Sequence, residues 1–329
     1  MPSTIRKGGS SSQDTPQRLT GEISAFLRDV VEGLLAAQKS IPGKYLWDET
    51  GSSIFDAISR SRTYYPAECE MALLRGCAGE IAKIVGPQAC VVEFGSGASR
   101  KTRVLLDAME QPRRYVAIDI SRDFLREAAG QIRSDYPSVE TVDVCADYTA
   151  SLPQLPVQGA QSVLGFFPGN SIGNMEPDGA AGVLTRARAA LAPAWLLIGQ
   201  DPNREASKLQ QAYGSDLMAA FHKNILARMS RELGAEADPQ DFEHEARIYE
   251  EPARVEAHLV ARRATAIKAG GHEVNVAPGA SIRTDVSWKY DPAGFERLLS
   301  EAGWETVRKW GGAEALSALY LLRSSDART

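Results

Sequence analysis

Val91-Val92-Glu93-Phe94-Gly95-Ser96-Gly97-Ala98-Ser99-Arg100-Lys101-Thr102 is an apolar run that ends in an acid and breaks into a glycine loop. Ala89 to Phe94 reads as a short buried strand, and Thr102 to Met109 carries apolar residues at helical spacing, so the loop joins a strand to a helix. Glycine at 95 and 97 permits positive φ and close backbone approach. The N-terminus of the following helix offers unpaired N–H groups to a polar, nucleotide-like ligand.

The loop lacks the third glycine of the dinucleotide fingerprint and the Gly-Lys-Ser/Thr of a phosphate-binding loop. Further on, Tyr115-Val116-Ala117-Ile118-Asp119-Ile120-Ser121 is a second apolar strand ending in an acid, and Asp119 stands where an open α/β sheet presents a carboxylate to ribose hydroxyls. A third run, Thr141 to Cys145, leads to Asp147-Tyr148, an acid and a ring suited to an adenine amino group and ring face. Glycine loop, ribose acid and adenine acid in this order favour S-adenosylmethionine over NAD. The plainer alternative is a doubly wound domain that merely carries acids at its strand ends.

Length and composition bound the rest. With 329 residues, 43% of them hydrophobic, the chain can bury a large core in two domains or in one domain with a substantial insertion. A net charge of −5 gives nucleic acid no electrostatic footprint. Cys69, Cys77, Cys90 and Cys145 have no Cys-x-x-Cys or zinc spacing and read as reduced thiols in a cytoplasmic protein. No metal site is expected, and no apolar stretch is long enough for a membrane span. Residues 1–17, polar and rich in Ser and Gly, read as a disordered lead rather than a signal peptide.

Leu19 to Ala37 carries an amphipathic helix, and a second helix runs to about Ser59. Thr63-Tyr64-Tyr65-Pro66 then interrupts the pattern, because proline disfavours helix at the residue before it. Its tyrosines can line a pocket or fill a core. Glu68 to Ile84 resumes as helix. Ser162 to Phe167 is a fourth strand, and the loop Pro168 to Asn174 leaves its carboxyl end, where open sheets bind ligands. Asn170 and Asn174 there can contact a ligand or cap the next helix. A fifth strand spans Trp195 to Gly199. From about Glu205 the composition shifts to helix and then to possible strands at Phe242–Glu250, Val255–Ala266, His272–Val276 and Ile282–Tyr290. A helix and two strands after Asp291 would complete a seven-stranded sheet. The expected organisation is a lead over 1–17, N-terminal helices over 18–62 that pack on the insertion, a nucleotide-binding domain over 63–204, an inserted α+β substrate domain over 205–286, and a closing part over 287–329.

Tyr64-Tyr65-Pro66, the glycine loop through Thr102, Asp119-Ile120-Ser121, Gly169 to Asn174 and Asp285-Val286-Ser287 together resemble the histidine-specific S-adenosylmethionine-dependent methyltransferases. That family includes the ergothioneine-pathway enzyme that trimethylates the α-amine of histidine to hercynine. The resemblance spans about Leu19 to Leu322 and implies a Rossmann-like class I methyltransferase sheet with an inserted substrate domain. It puts Gly95, Ser96, Gly97, Lys101, Asp119, Asp147 and Tyr148 around S-adenosylmethionine. Asn174 and Tyr213 fall where the family holds the substrate carboxylate. Tyr64 falls beside the imidazole, and Asp285 and Ser287 occupy the family's Glu-x-Ser pair on the imidazole nitrogens. Tyr64 and Asp285 are the candidates for assisting proton loss from the substrate amine.

Four positions depart from the family pattern. Trp47 stands for a tyrosine, Asp285 for the longer glutamate, Ala257 for a pocket methionine, and Met218 for a threonine near the substrate amine. One methylene of retraction at Asp285 opens a gap of roughly a C–C bond, which weakens a direct hydrogen bond to imidazole at a cost of ~1–3 kcal/mol. The expected activity is N-methylation of a free amino acid, histidine by resemblance. Arginine, at a guanidine nitrogen, would suit Asp285 and aromatic walls, and tryptophan would use Trp47, Tyr64 and the room at Ala257. A non-catalytic S-adenosylmethionine-binding protein and a nicotinamide oxidoreductase are the readings from other classes.

Overall fold

A computed structural model describes residues 14–312 and 316–325. The lead over 1–17 lies outside the described residues as far as 13, and its last four residues instead begin helix α1 (Asp14–Leu35). The first five strands are β1 (Ala89–Phe94), β2 (Arg114–Asp119), β3 (Glu140–Cys145), β4 (Ser162–Phe167) and β5 (Trp195–Gln200). They pair in parallel in the order β5-β4-β1-β2-β3. All six residues of β1 are buried, which is why the strand reads as an apolar run broken only by Glu93.

The chain leaves this sheet and returns with β11 (Trp304–Gly311) and β12 (Ala318–Ser324), β12 lying antiparallel to β5. The seven-stranded order is β11-β12-β5-β4-β1-β2-β3, that of a class I methyltransferase sheet. Side chains alternate across it. Cys90, Val92 and Phe94 face the layer of α6 (Pro177–Leu191) and α9 (Pro292–Glu301), whereas Ala89 and Val91 face α3 (Tyr65–Val85), α4 (Arg100–Ala108) and α5 (Arg122–Asp135). The strand order reverses between β1 and β4, so their carboxyl ends open the crevice in which such sheets bind ligands.

Between β5 and β11 the chain builds a second lobe. After α7 (Ala206–Tyr213) and α8 (Asp216–Leu233), strands β6 (Phe242–Glu250), β7 (Ala253–Ala261) and β10 (Ser281–Trp288) form an antiparallel sheet in the order β10-β7-β6. The run expected as one strand over Val255–Ala266 is two: it breaks after Ala261, and β8 (Thr265–Ala269) pairs with β9 (His272–Val276) as a separate hairpin. Alternation cannot reveal such a break, because both halves carry apolar residues at the same period. Phe26, Val30 and Leu34 of α1 share the lobe's core with Phe221, Ile225, Leu259 and Ile282. Tyr65 begins α3 rather than standing in a turn, with Tyr64 as the cap and Pro66 in the first helical turn, where its missing N–H costs nothing.

Helix α2 (Glu49–Ser59) lies along α8, and Asp48 joins the two. Its carboxylate caps α2 through Gly51 N at 2.7 Å, accepts from Asn224 Nδ2 at 2.7 Å and pairs with Arg231. No described helix is long and apolar enough to cross a membrane. We expect Asp48→Ala to lose ~2–3 kcal/mol of stability in denaturant unfolding, from the cap and the bonds to α8 together. A change within ~0.5 kcal/mol would show that the junction is not held there.

Candidate active site

β1 delivers the chain to Gly95 with φ 71° and Gly97 with φ 47°, both in the left-handed region that favours glycine. The loop is tied to β2: Gly95 N and Ser96 N both donate to Ile118 O, at 2.8 and 3.1 Å. Asp119 accepts from Gly97 N at 3.0 Å and from Ser121 N at 2.9 Å, one bond on each oxygen. Its remaining lone pairs face a cavity of about 430 Å³. Burial raises its pKa, against the backbone bonds that oppose the shift.

Two acids outside the expected set of site residues hold this half together. Glu93 is 2% exposed and accepts from Thr102 Oγ1 at 2.5 Å and from the Tyr115 hydroxyl, which pins the glycine loop to α4 and β2. Burial pushes its carboxyl up to about 7. Glu70, on α3, pairs with Lys101 and accepts Gly169 N at 2.9 and 2.8 Å on its two oxygens. Lys101 lines the cavity, and its ammonium keeps donors beyond the bond to Glu70.

The adenine-type pair is present at the same cavity. Asp147 accepts from Thr149 N at 2.9 Å and Thr149 Oγ1 at 2.5 Å through a single oxygen. Tyr148 stands edge-on to Phe94 and Phe167, with centroids 6.1 and 5.5 Å away. Ser96 Oγ is buried and has no partner among the described residues. A Cβ built on Gly97 would meet nothing within 4 Å. An unpaired buried hydroxyl, open space over the loop and an acid at each strand end suit the ribose, the adenine and the charged tail of S-adenosylmethionine.

The opposite wall comes from the second lobe and the N-terminal helices. Trp47, Phe55, Tyr64 and Asp285 line it, and Asn174 and Met175 join from the loop after β4. Trp47 meets Phe55 edge-on at 4.9 Å, and Phe55 meets Tyr64 at 5.8 Å. Phe55 went unassigned in the sequence because its helix reads as an ordinary amphipathic one. Among the described residues no side chain donates to Asp285, and burial pushes its carboxyl up to about 7. Gly43 makes room for it: a Cβ there would lie 2.8 Å from Asp285 Oδ1.

The structure thus gathers Trp47, Tyr64, Gly95, Ser96, Gly97, Lys101, Asp119, Asp147, Tyr148, Asn174 and Asp285 around one cavity. Three expected site residues do not line it. Met218 is 3% exposed and packs in the lobe core, on the same buried face of α8 as Phe221 and Ile225. Tyr213 and Ser287 stand behind the wall in a polar cluster with Lys289. Ala257 is buried on β7, directly across from Asp285 on β10.

Comparison with known proteins identifies the family. The model of the histidine-specific, S-adenosylmethionine-dependent methyltransferases matches residues 26–324. The chain belongs to that family. It is 38% identical over 294 residues to the histidine N-alpha-methyltransferase of Mycolicibacterium smegmatis, covering 87% of this chain and 91% of the relative. The corresponding enzyme of Mycobacterium tuberculosis is 35% identical with the same coverage. A fungal relative, the N-methyltransferase benX of Aspergillus terreus, is 28% identical over 89% of this chain and 86% of its own length. This methyltransferase is an N-methyltransferase that uses S-adenosylmethionine.

The buried carboxylate of Asp285 makes a pH prediction. Its pKa in the fold, about 7, exceeds the ordinary value of roughly 3.9, so the folded state binds the proton more tightly. The group's contribution to stability is therefore full at low pH, falls as the pH rises from about 4 to about 7, and stays low above that. We expect Asp285→Asn to gain on the order of 2 kcal/mol over the parent at pH 8.5 and much less at pH 5. Parallel stability curves for the two proteins would contradict this.

Proposed function

We propose that this methyltransferase methylates the α-amine of free L-histidine. The observation that carries the reading is a single cavity running from the glycine loop to the aromatic wall and Asp285. Donor and acceptor share one enclosed space, so most of the rate enhancement can come from placement and exclusion of water. When bound, S-adenosylmethionine supplies an electrophilic methyl group on a sulfonium.

Each of the chain's own residues has a task. Glycines 95 and 97, Ser96, Lys101, Asp119, Asp147 and Tyr148 bind the methyl donor. The exposed amide of Asn174 has no side-chain partner among the described residues and binds the amino acid's carboxylate, with the Tyr213 hydroxyl behind it. Asp285 accepts a hydrogen bond from an imidazole N–H, which favours its ionised form. Trp47, Phe55 and Tyr64 surround the amine with ring faces that tolerate the positive charge growing on a methylated nitrogen. Tyr64 and Asp285 are the groups placed to assist the loss of the amine's proton. We assign the reaction to the cytoplasm because no two of the four cysteines are joined in a disulfide among the described residues.

A second reading rests on the pairing of Asp285 with Ala257. Asp285 lines the cavity with a short side chain in front of the small Ala257, and the space before it suits a longer guest such as arginine, methylated at its guanidine, or tryptophan. Incubation with S-adenosylmethionine and a panel of free amino acids, followed by mass spectrometry, separates the two. Methylated histidine alone supports the first reading, and product from another amino acid alone rejects it.

Two variants test the residue roles. Asn174→Ala should raise the KM for the amino acid roughly 10- to 100-fold with the KM for S-adenosylmethionine unchanged. An unaltered amino-acid KM would refute its carboxylate role. For Asp285→Glu we expect faster histidine turnover, because the longer side chain closes the gap to the imidazole, and no gain would remove Asp285 as the selectivity determinant.

A further inference from the structure

Lys289 follows β10 with its side chain fully buried, at 0% exposure, and it does not line the cavity. An ammonium has three N–H donors and no lone pair. Three oxygens surround it: Asp201 Oδ2 at 2.5 Å, Tyr213 Oη at 2.8 Å and Ser287 Oγ at 3.1 Å. All three must therefore accept. Ser287 Oγ also accepts from Asn170 Nδ2 at 3.3 Å. Both its lone pairs are then engaged, so in its 3.2 Å contact with Tyr213 Oη the serine must be the donor. Tyr213 Oη accepts twice, from Lys289 and from Ser287. Its own hydrogen is left to point away from Lys289 and Ser287, on the side of the Tyr64 hydroxyl, its further hydrogen-bond neighbour. On its other side the Tyr213 ring stands edge-on to Tyr64, which lines the cavity, with centroids 5.9 Å apart.

We propose that Lys289, anchored by Asp201, is a positioning residue that fixes the Tyr213 hydroxyl as an outward donor, so that the site selects the carboxylate of its amino-acid substrate. A hydroxyl held in this way cannot turn round to accept, and a charged acceptor strengthens the bond it makes. A primary amide or a decarboxylated amine forfeits that gain. The proposal rests on the reading above that the substrate is a free amino acid.

The test compares histidine with its primary amide by titration calorimetry on protein saturated with S-adenosylhomocysteine. The pair Lys289→Met with Asp201→Asn removes the ammonium without leaving a lone buried charge. We expect the preference for acid over amide to fall roughly 10- to 100-fold while S-adenosylhomocysteine affinity is kept. Tyr213→Phe should show the same loss, and adding the Lys289/Asp201 pair to it should cost no further preference. A purely structural lysine would weaken both ligands alike and add to the Tyr213 effect, which would overturn the proposal. So would an undiminished preference in the Lys289/Asp201 variant, or a parent protein with no preference at all. If that variant does not fold, as judged by S-adenosylhomocysteine binding, Ser287→Ala takes its place. It removes one of the two donors to Tyr213 and should lower the preference in part, and an unchanged preference would overturn the role. Should the parent bind a different free amino acid, the comparison is run with that acid and its amide, so the substrate reading and the role of Lys289 fail separately.

Discussion

The ion pair between Lys289 and Asp201 is the constraint on which the two-lobed arrangement depends. Desolvating two charges costs several kcal/mol for each, and the cost is offset only where geometry and further hydrogen bonds are good. Here Asp201 Oδ2 also accepts from the Tyr65 hydroxyl at 2.7 Å and Oδ1 accepts from Asn203 N at 3.0 Å. The backbone N–H of Asp201 donates to Asn170 Oδ1 at 3.1 Å. These groups come from α3, the loops after β4 and β5, the end of α7 and the end of β10. A shift of the inserted lobe on the sheet would unpair several of them at once, and the mouth of the cavity lies between the two bodies so joined.

Glu70 plays a comparable part nearer the methyl donor. It gathers Lys101 at the start of α4 and the backbone of Gly169 in the loop after β4, so the two loops flanking the switch point keep a fixed separation. Glu93 then holds the glycine loop from beneath. Most polar groups of the loop are satisfied internally, and those left over, Ser96 Oγ above all, face the cavity. Such a site is organised before its ligand arrives, which lowers the entropic cost of binding.

What the sequence discloses follows from the range of the interactions. Strands β1 and β4 are legible to the residue, because a strand buried on both faces must be a continuous apolar run and a glycine loop marks its end. Asp119 and Asp147 are legible because a strand end fixes where an acid will stand. Glu70, Asp201 and Lys289 carry no local signature. Asp201 and Lys289 are 88 residues apart and each reads as an ordinary surface charge until the topology brings them together. Asp48 and Asn224, 176 residues apart, are another such pair. Met218 is a different case: the family resemblance suggests a site position, and the phase of α8 turns the side chain into the core beside Phe221 and Ile225.

The two ends of the acceptor site are built on different principles. The end proposed to hold a carboxylate is backed by a polar cluster in which Asp201, Tyr213 and Ser287 all accept from Lys289, so change there disturbs the joint between the lobes. The side-chain end is an aromatic wall with one carboxylate that no protein side chain engages. Its neighbours set what that carboxylate can become. Gly43 approaches so closely that even a methyl group would lie 2.8 Å from Asp285 Oδ1, and Ala257 faces it from β7. A longer acid at 285 must therefore extend into the cavity rather than toward the Pro42–Gly43 turn. Substrate choice can drift through positions 43, 257 and 285 without touching the ion pair that keeps the lobes in register.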